Sequence, residues 1–299
     1  MENELILSLE TATRGGSIAV MRGRKVLASS TGIAEESHSI NLLTRIESLL
    51  SHAQVALSDV DVFVTAAGPG SFTGLRIGLA TMKAFAATLK RPCIGVPTLE
   101  AIAFAAGSSR RTYALLGAGR GEVFAQLFVG GDNGDGVGGE DFDRQANRGL
   151  RPLGSGGEDF ARQSNRGLRP LGAGGDARGT QATPALHLPP GVLVAQLDGA
   201  RSLVWAGPGA HLYKDLIRQR ATELSIGFVE EMLVASGSPQ TACAEISNDI
   251  HWALAPNVEQ LAEYVAILAL EREGDNEQYR PEDLRAIYVR PSDAELAKG

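Results

Sequence analysis

Three short runs hold residue types that could do chemistry. Glu10-Thr-Ala-Thr13 sets a carboxylate and two hydroxyls at the end of an apolar run. There, hydroxyls and backbone N–H groups can face a phosphate and a carboxylate can orient a metal-bound water, while the same residues also make an ordinary hydrogen-bonded turn; both readings stand. Glu35-Glu36-Ser37-His38-Ser39 places acid, base and hydroxyl side by side. Members of a hydrolytic triad are normally brought together from separated positions. Helix capping by Ser37 or Ser39, with acids near the N-terminus, is therefore the better reading. The third run is Gly68-Pro-Gly-Ser-Phe-Thr-Gly-Leu-Arg-Ile-Gly78. Such a turn could cradle an anion at a helix N-terminus. It lacks the Gly-Lys-Ser/Thr of a phosphate loop and the Gly-x-Gly-x-x-Gly spacing of a dinucleotide fold, so a stiff turn leading into a contact helix fits it better.

The remaining chemistry-bearing residues are scattered. His38, His52, His187, His211 and His251 show no metal-ligand spacing, and Cys93 and Cys243 form no pair, so no metal site is expected. Both cysteines sit among apolar or small residues and read as reduced core thiols.

The elements that must position these runs follow from periodicity. Leu5–Leu9 is an apolar run that reads as a central strand, and Ser17–Met21 with Val26–Ser30 reads as a hairpin. A helix over Ser37–His52 has Leu43, Ile46, Leu49, Leu50 and Ala53 on one stripe, widened by Ile40 and Leu42. Val62–Ala66 reads as a buried strand feeding the glycine run. A second helix, Thr73–Lys90, follows, with Leu75, Leu79, Met82, Phe85, Ala86 and Leu89 at helical spacing. Gly74 and Gly78 stack on one face of it, bare of side chains, which lets another backbone approach. Then come a strand at Arg91–Val96, a helix from Pro97-Thr98, and a hairpin of Thr112–Leu116 and Glu122–Phe128. This alternation argues an α/β fold.

Residues 130–179 differ in texture, holding 15 of the chain's 36 glycines. Within them Gly139–Gly154 recurs almost unchanged as Gly157–Gly172, an offset of 18 residues. Two copies are too few for a solenoid and too poor in apolar residues for a core, so a duplicated, mostly disordered Gly/Arg-rich insertion is expected. A docking segment is the alternative, since seven arginines lie between Arg144 and Arg178, although acidic neighbours balance them. Beyond Pro189-Pro190, Val192–Leu197 and Ser202–Ala206 read as strands. Gly207-Pro-Gly-Ala210 repeats the strand-to-helix device at the start of a helix to Arg220. A helix over Asn257–Glu273 and a closing strand over Leu284–Arg290 complete the chain. The expected division is an N-terminal lobe of 1–129, the insertion at 130–189 and a C-terminal lobe of 190–299.

The chain is 299 residues long, 43% hydrophobic and 21% charged, with a formal net charge of -7. These values fit a soluble globular protein. An acidic chain is a poor candidate for gripping nucleic acid alone, because phosphate contacts need clustered Lys and Arg. The opening Met-Glu-Asn-Glu has no basic n-region, and the aliphatic run at Val265–Leu270 is too short to span a bilayer. A cytoplasmic chain without membrane contact is expected.

Ile6–Thr13, Gly68–Gly78, Ile94–Leu99, Gly121–Phe124 and Ala286–Arg290 occur in the order that resembles the TsaB (YeaZ) family of the bacterial tRNA threonylcarbamoyladenosine machinery. The resemblance is dense over 5–128, thinner over 190–290, and absent from the insertion. It implies an actin-like, Hsp70-like ATPase fold (ASKHA) of two related α/β lobes. It also implies a non-catalytic scaffold that binds and activates TsaD, which transfers a threonylcarbamoyl group to the adenosine beside the anticodon. A TsaE-like ATPase would join the complex, tRNA would be met mainly through it, and the chain alone would form a homodimer.

No cofactor of its own is implied, with ATP or ADP at the partner interface and Glu10, Thr11 and Thr13 as a vestigial nucleotide site. The implied partner interface is Leu43, Ile46, Leu50, Gly70, Phe72, Gly74, Arg76, Gly78 and Met82, with the two glycines admitting the partner helix, so that Gly78→Leu should block pairing and spare the fold. Two departures weaken a nucleotide site: the family usually has Asp where Glu10 stands, and an Asp-Ala pair with a basic residue near Gly117-Ala-Gly119. An independent actin-fold phosphotransferase or peptidase, and a homodimeric regulator, are the alternatives.

Overall fold

The computed structural model describes residues 3–32, 38–107, 111–130, 181–197, 202–230, 251–272 and 279–289. The duplicated insertion, Glu35–Ser37 and Cys243 lie outside them. The chain divides into two compact units, Met1–Ala105 with Val258–Gly299, and Ala106–Asn257.

Unit 1 is built on β1 (Leu5–Glu10), buried along its whole length. It pairs antiparallel with β2 (Ser17–Arg22), which pairs with β3 (Lys25–Thr31), and parallel with β4 (Val62–Gly68), which pairs with β5 (Cys93–Pro97). The sheet order is β3-β2-β1-β4-β5. Strands buried on both faces need cover on both. Two helix pairs supply it: α1 (His38–His52) with α2 (Phe72–Leu89), and α3 (Thr98–Ala105) with the C-terminal helix Leu261–Glu271. That last helix is fixed to the sheet by polar bonds, Ser8 Oγ donating to Ala262 O at 2.7 Å and Ala262 N donating to Ser17 Oγ at 2.9 Å. Phe104 meets Tyr264 edge-on at 6.1 Å, and Arg272 donates to Glu100 Oε2 at 3.0 Å.

Unit 2 repeats the plan. Its centre is β6 (Arg111–Gly119), antiparallel to β7 (Glu122–Val129) and parallel to β10 (Leu203–Ala206), which is parallel to β12 (His251–Leu254). The short strands β8 (Gln181–Ala182) and β9 (Leu186–Leu188) both pair with β7, and β11 (Gly227–Glu230) pairs with β12. In both units a central strand has an antiparallel hairpin partner on one side and successive parallel strands on the other, two in unit 1 and three in unit 2. The largely aliphatic core of unit 2 is built around three rings: Tyr113 stacks on Trp205 at 5.4 Å, and Trp205 meets Trp252 edge-on at 5.4 Å.

Several expectations are corrected. The hairpin of β6 and β7 belongs to the second sheet and the late helix to the first unit, so the expected boundary at 129 and a C-terminal lobe of 190–299 do not hold. Val192–Leu197 is not a strand: Pro190–Ala195 forms helix α4, since Pro190 at its first position suits a helix start and burial of Leu193 and Val194 overrides the β-propensity of the two valines. The helix after Gly207 breaks at Tyr213 into α5 (Pro208–Leu212) and α6 (Lys214–Glu223). The late helix, α7, begins at Leu261 rather than Asn257. Leu284–Val289 forms no strand; it is an extended strap in unit 1, with Ile287 N donating to Ala67 O at 2.7 Å and Leu284 buried.

The repeated turn of unit 2, Gly207-Pro-Gly209, seats α5 directly on β6. A Cβ added at Gly209 would lie 2.8 Å from the backbone of Leu115 and Leu116. Gly209→Ala is therefore expected to destabilise unit 2 by about 2 kcal/mol through overpacking. A urea titration followed by near-UV circular dichroism of the Tyr113–Trp205–Trp252 cluster checks it.

Candidate partner-docking surface

β4 delivers the chain to α2 through Gly68-Pro69-Gly70. The Gly68–Pro69 peptide is cis, and Gly68 has φ +113°, a region that L side chains rarely adopt. A Cβ at Gly68 would also lie 2.5 Å from Ile287 O of the strap. Ser71 then caps α2, its Oγ accepting from Gly74 N at 3.2 Å. Lys90 ends the helix in the left-handed conformation at φ 54°.

The inward face of α2 is Gly74, Leu75, Gly78, Leu79, Met82 and Ala86. Its two glycines lie directly on the end of β1. Thr11 Oγ1 donates to Gly74 O at 2.8 Å. A Cβ at Gly74 would overlap the Thr11 carbonyl oxygen, and one at Gly78 would overlap Thr11 Oγ1. The expectation that these glycines admit a partner helix is thus corrected: the backbone that approaches them is the chain's own. Gly70 is likewise closed off, a Cβ there lying 2.5 Å from that of Ala12. Ile46, Leu50 and Met82 are core residues.

Of the nine expected interface residues, three face outward: Leu43, 62% exposed on α1, and Phe72 and Arg76 on α2. Between and beyond them α2 exposes Thr73, Ala80, Ala84 and Ala87, which the sequence reading passed over. Removing the core stripe from the helix leaves these positions at i, i+4 and i+7, which was the available signal. Arg76 lies over the Phe72 ring at 3.8 Å, and Tyr288 of the strap meets the same ring at 5.6 Å. Tyr288 is 216 positions from Phe72 in sequence, and no local pattern could join them.

The suspected nucleotide residues are turned inward. Glu10 is fully buried; its Oε1 accepts from Thr13 N at 2.6 Å and its Oε2 from Thr13 Oγ1 at 2.7 Å. With Thr11 Oγ1 bound to Gly74 O, the trio braces the loop after β1 and does not fit a phosphate-binding donor set. Among the described residues no three His, Cys, Asp or Glu side chains are grouped to hold a metal ion. His211 Nε2 lies 2.8 Å from Ala255 O and His187 Nε2 2.9 Å from Glu122 Oε2, in separate places of unit 2. No helix among the described residues is long and apolar enough to cross a membrane.

The family described as TsaD, tRNA N6-adenosine threonylcarbamoyltransferase, matches residues 25–170. The tRNA threonylcarbamoyladenosine biosynthesis protein TsaB of Buchnera aphidicola is 32% identical over 101 residues, 34% of this chain and 48% of that protein. The TsaB of Bacillus subtilis is 32% identical over 127 residues, 41% of this chain and 54% of that protein, and the TsaB of Escherichia coli 31% identical over 132 residues, 43% and 57%. These likenesses support a TsaB/YeaZ family assignment. The chain spans about half the length of the curated relatives it matches. In structure it is similar to YeaZ from Pseudomonas aeruginosa, at TM-score 0.55 and 20% identity over 95% of this chain and 99% of that one. The fold is therefore the actin-like α/β fold expected from the sequence, with two related units.

Two predictions follow from this packing. Gly78→Ala meets a side-chain hydroxyl and Gly74→Ala a backbone carbonyl. Each is expected to cost about 2 kcal/mol of stability, but adding Thr11→Ala should recover much of the loss for Gly78→Ala and little for Gly74→Ala, a coupling that urea midpoints of the double-mutant cycles measure. The second concerns the Cys93 thiol on β5, which burial pushes up to about 12 although the nearby Lys83 charge acts in the opposite direction. Because the folded value lies above the unfolded one, the stability linked to this proton is whole below the unfolded pKa and is lost as pH rises toward about 12. In a Cys243→Ser background, iodoacetamide is expected to label Cys93 only where alkali or denaturant has opened unit 1.

Proposed function

We propose that the chain is a non-catalytic subunit that binds and activates a TsaD-type transferase for threonylcarbamoylation of the adenosine next to the anticodon of tRNA. One observation carries this reading: α2 turns every glycine inward and leaves a smooth outer face of Thr73, Ala80, Ala84 and Ala87, with Phe72 exposed at its start. A helix face of small side chains lets a partner helix lie close, and an exposed aromatic ring gives it an anchor. The side chains that suggested chemistry support the same reading. Glu10, Thr11 and Thr13 are engaged within unit 1, so nucleotide enters with the partners, a TsaE-like ATPase among them. The same outer face would serve a homodimer of the chain when TsaD is absent.

The test is threonylcarbamoylation of tRNA by TsaD and TsaE with and without this chain. Product is expected only when the chain is present. Ala84→Arg, which changes an exposed position and leaves the fold intact, should weaken the complex with TsaD at least about tenfold by placing a bulky charge at the contact. Full activity without the chain, or ATP turnover or proteolysis by the isolated chain, would contradict the proposal.

A further inference from the structure

We propose that Arg76, held over the ring of Phe72, is the specificity-determining residue of the docking face, taking a carboxylate of the partner protein, and that Tyr288 of the C-terminal strap is its positioning residue. The inference rests on the reading of α2 as the partner-facing helix and adds the chemistry that would be recognised there.

The Arg76 guanidinium has no counter-ion among the described residues. Arg76 is exposed, and its one recorded contact is with the Phe72 ring, 3.8 Å from the guanidinium carbon; no carboxylate among the described residues pairs with it. Arg24, Arg91 and Arg280 of unit 1 pair with Glu271 at 3.0 Å, Asp61 at 3.6 Å and Asp283 at 3.0 Å, and Arg22 and Arg285 donate to carbonyl oxygens of their own neighbourhood; Arg76 alone of these is held by an aromatic ring. Phe72 and Arg76 are four apart on α2, the spacing at which side chains on one helix face meet. Stacking leaves the edge of the guanidinium, with its forked N–H donors, directed to whatever lies above the helix.

The platform is braced from the other end of the chain. Tyr288 meets Phe72 at 5.6 Å with the rings tilted by 43°. Its strap is tied down by Ile287 N to Ala67 O at 2.7 Å, by Lys83 Nζ to Leu284 O at 3.1 Å, and by Leu284 packed against Gly95 where a Cβ would overlap it. A ring contacted by both Tyr288 and Arg76 is pre-ordered, so little freedom is lost when an acidic group arrives.

Charge chooses the occupant. A forked guanidinium matches a carboxylate or a phosphate bidentately. A nucleic-acid backbone is gripped by clusters of cations, and here the exposed α2 positions Thr73, Ala80 and Ala84 carry no charge while Lys83 is bound to the strap. The net charge of -7 opposes a polyanion further. An Asp or Glu on the apolar docking face of a protein partner satisfies the single cation.

Binding of the full chain to TsaD, titrated at low and at physiological salt, tests this. Arg76→Ala is expected to weaken binding about tenfold and to flatten its salt dependence, and Arg76→Lys to recover only part of the loss because it keeps the charge without the fork. Tyr288→Ala should weaken binding about threefold, and Tyr288→Phe, which keeps the ring contact, should bind as the native chain does. If Ala84→Arg abolishes the complex while Arg76→Ala binds with native affinity and salt dependence, this inference is overturned and the proposed function stands. If Ala84→Arg also binds normally, the docking reading itself is overturned. Binding of tRNA by the isolated chain that is lost with Arg76→Ala would assign the guanidinium to phosphate and equally overturn the inference.

Discussion

Unit 1 depends on one close contact, that between the two glycines of α2 and Thr11 at the end of β1. It needs a helix with no side chains at positions 74 and 78, and a residue on the loop whose hydroxyl can reach a helix carbonyl. Thr11 Oγ1 supplies that bond to Gly74 O. Thr11 is itself on the loop that Glu10 and Thr13 close by their own hydrogen bonds. The chemistry-bearing residues at the end of β1 and the glycines of the opening motif are therefore one structural joint. Once it is made, the rotation of α2 about its axis is fixed. Leu75, Leu79 and Met82 must enter the core, and Arg76, Ala80 and Ala84 must face out.

The same device recurs in unit 2 in reduced form. β10 ends in Gly207-Pro-Gly209, and Gly209 sits against the backbone of β6, the strand equivalent to β1. Both units place a Gly-Pro-Gly turn after the parallel neighbour of their central strand, and both use a glycine in the following helix to bring it onto that central strand. Only unit 1 extends the helix to 18 residues. The five-residue α5 of unit 2 offers no comparable outer face. The long outer face of α2 is therefore a feature of unit 1.

Much of this was legible in sequence because local rules and tertiary burial agreed. β1, the hairpin of β2 and β3, β4, α2 and the hairpin of β6 and β7 appear where periodicity put them, within three residues at each end, and Cys93 is the buried thiol its neighbours suggested. The failures have physical causes. Pro190 and the burial of Leu193 and Val194 overrode the β-branched run at Val192–Leu197. Leu284–Val289 has strand-like residues but makes a single ladder-type bond to the sheet, so it packs by side chains instead. The glycine face was correctly read as a place of close approach, but its partner was not. Sequence shows that a face is bare and does not show whether the backbone that fills it belongs to the same chain. The core and outer stripes of a helix are separable by spacing, yet the outer stripe of α2 consists of alanines, which carry no signal of their own. Phe72 and Arg76 were visible as candidates, and Tyr288, which completes their cluster, was not.

The central claim is that the outer face of α2 meets the partner while the glycine face stays closed inside unit 1. Hydroxyl-radical footprinting of the full chain, alone and with TsaD, tests it most directly, since the oxidised side chains report which face is wet. The account predicts that Phe72 and Leu43 are oxidised in the free chain and protected in the complex, while Met82 is unreactive in both. Equal oxidation of Phe72 and Leu43 with and without TsaD, or a reactive Met82 that TsaD protects, would contradict it.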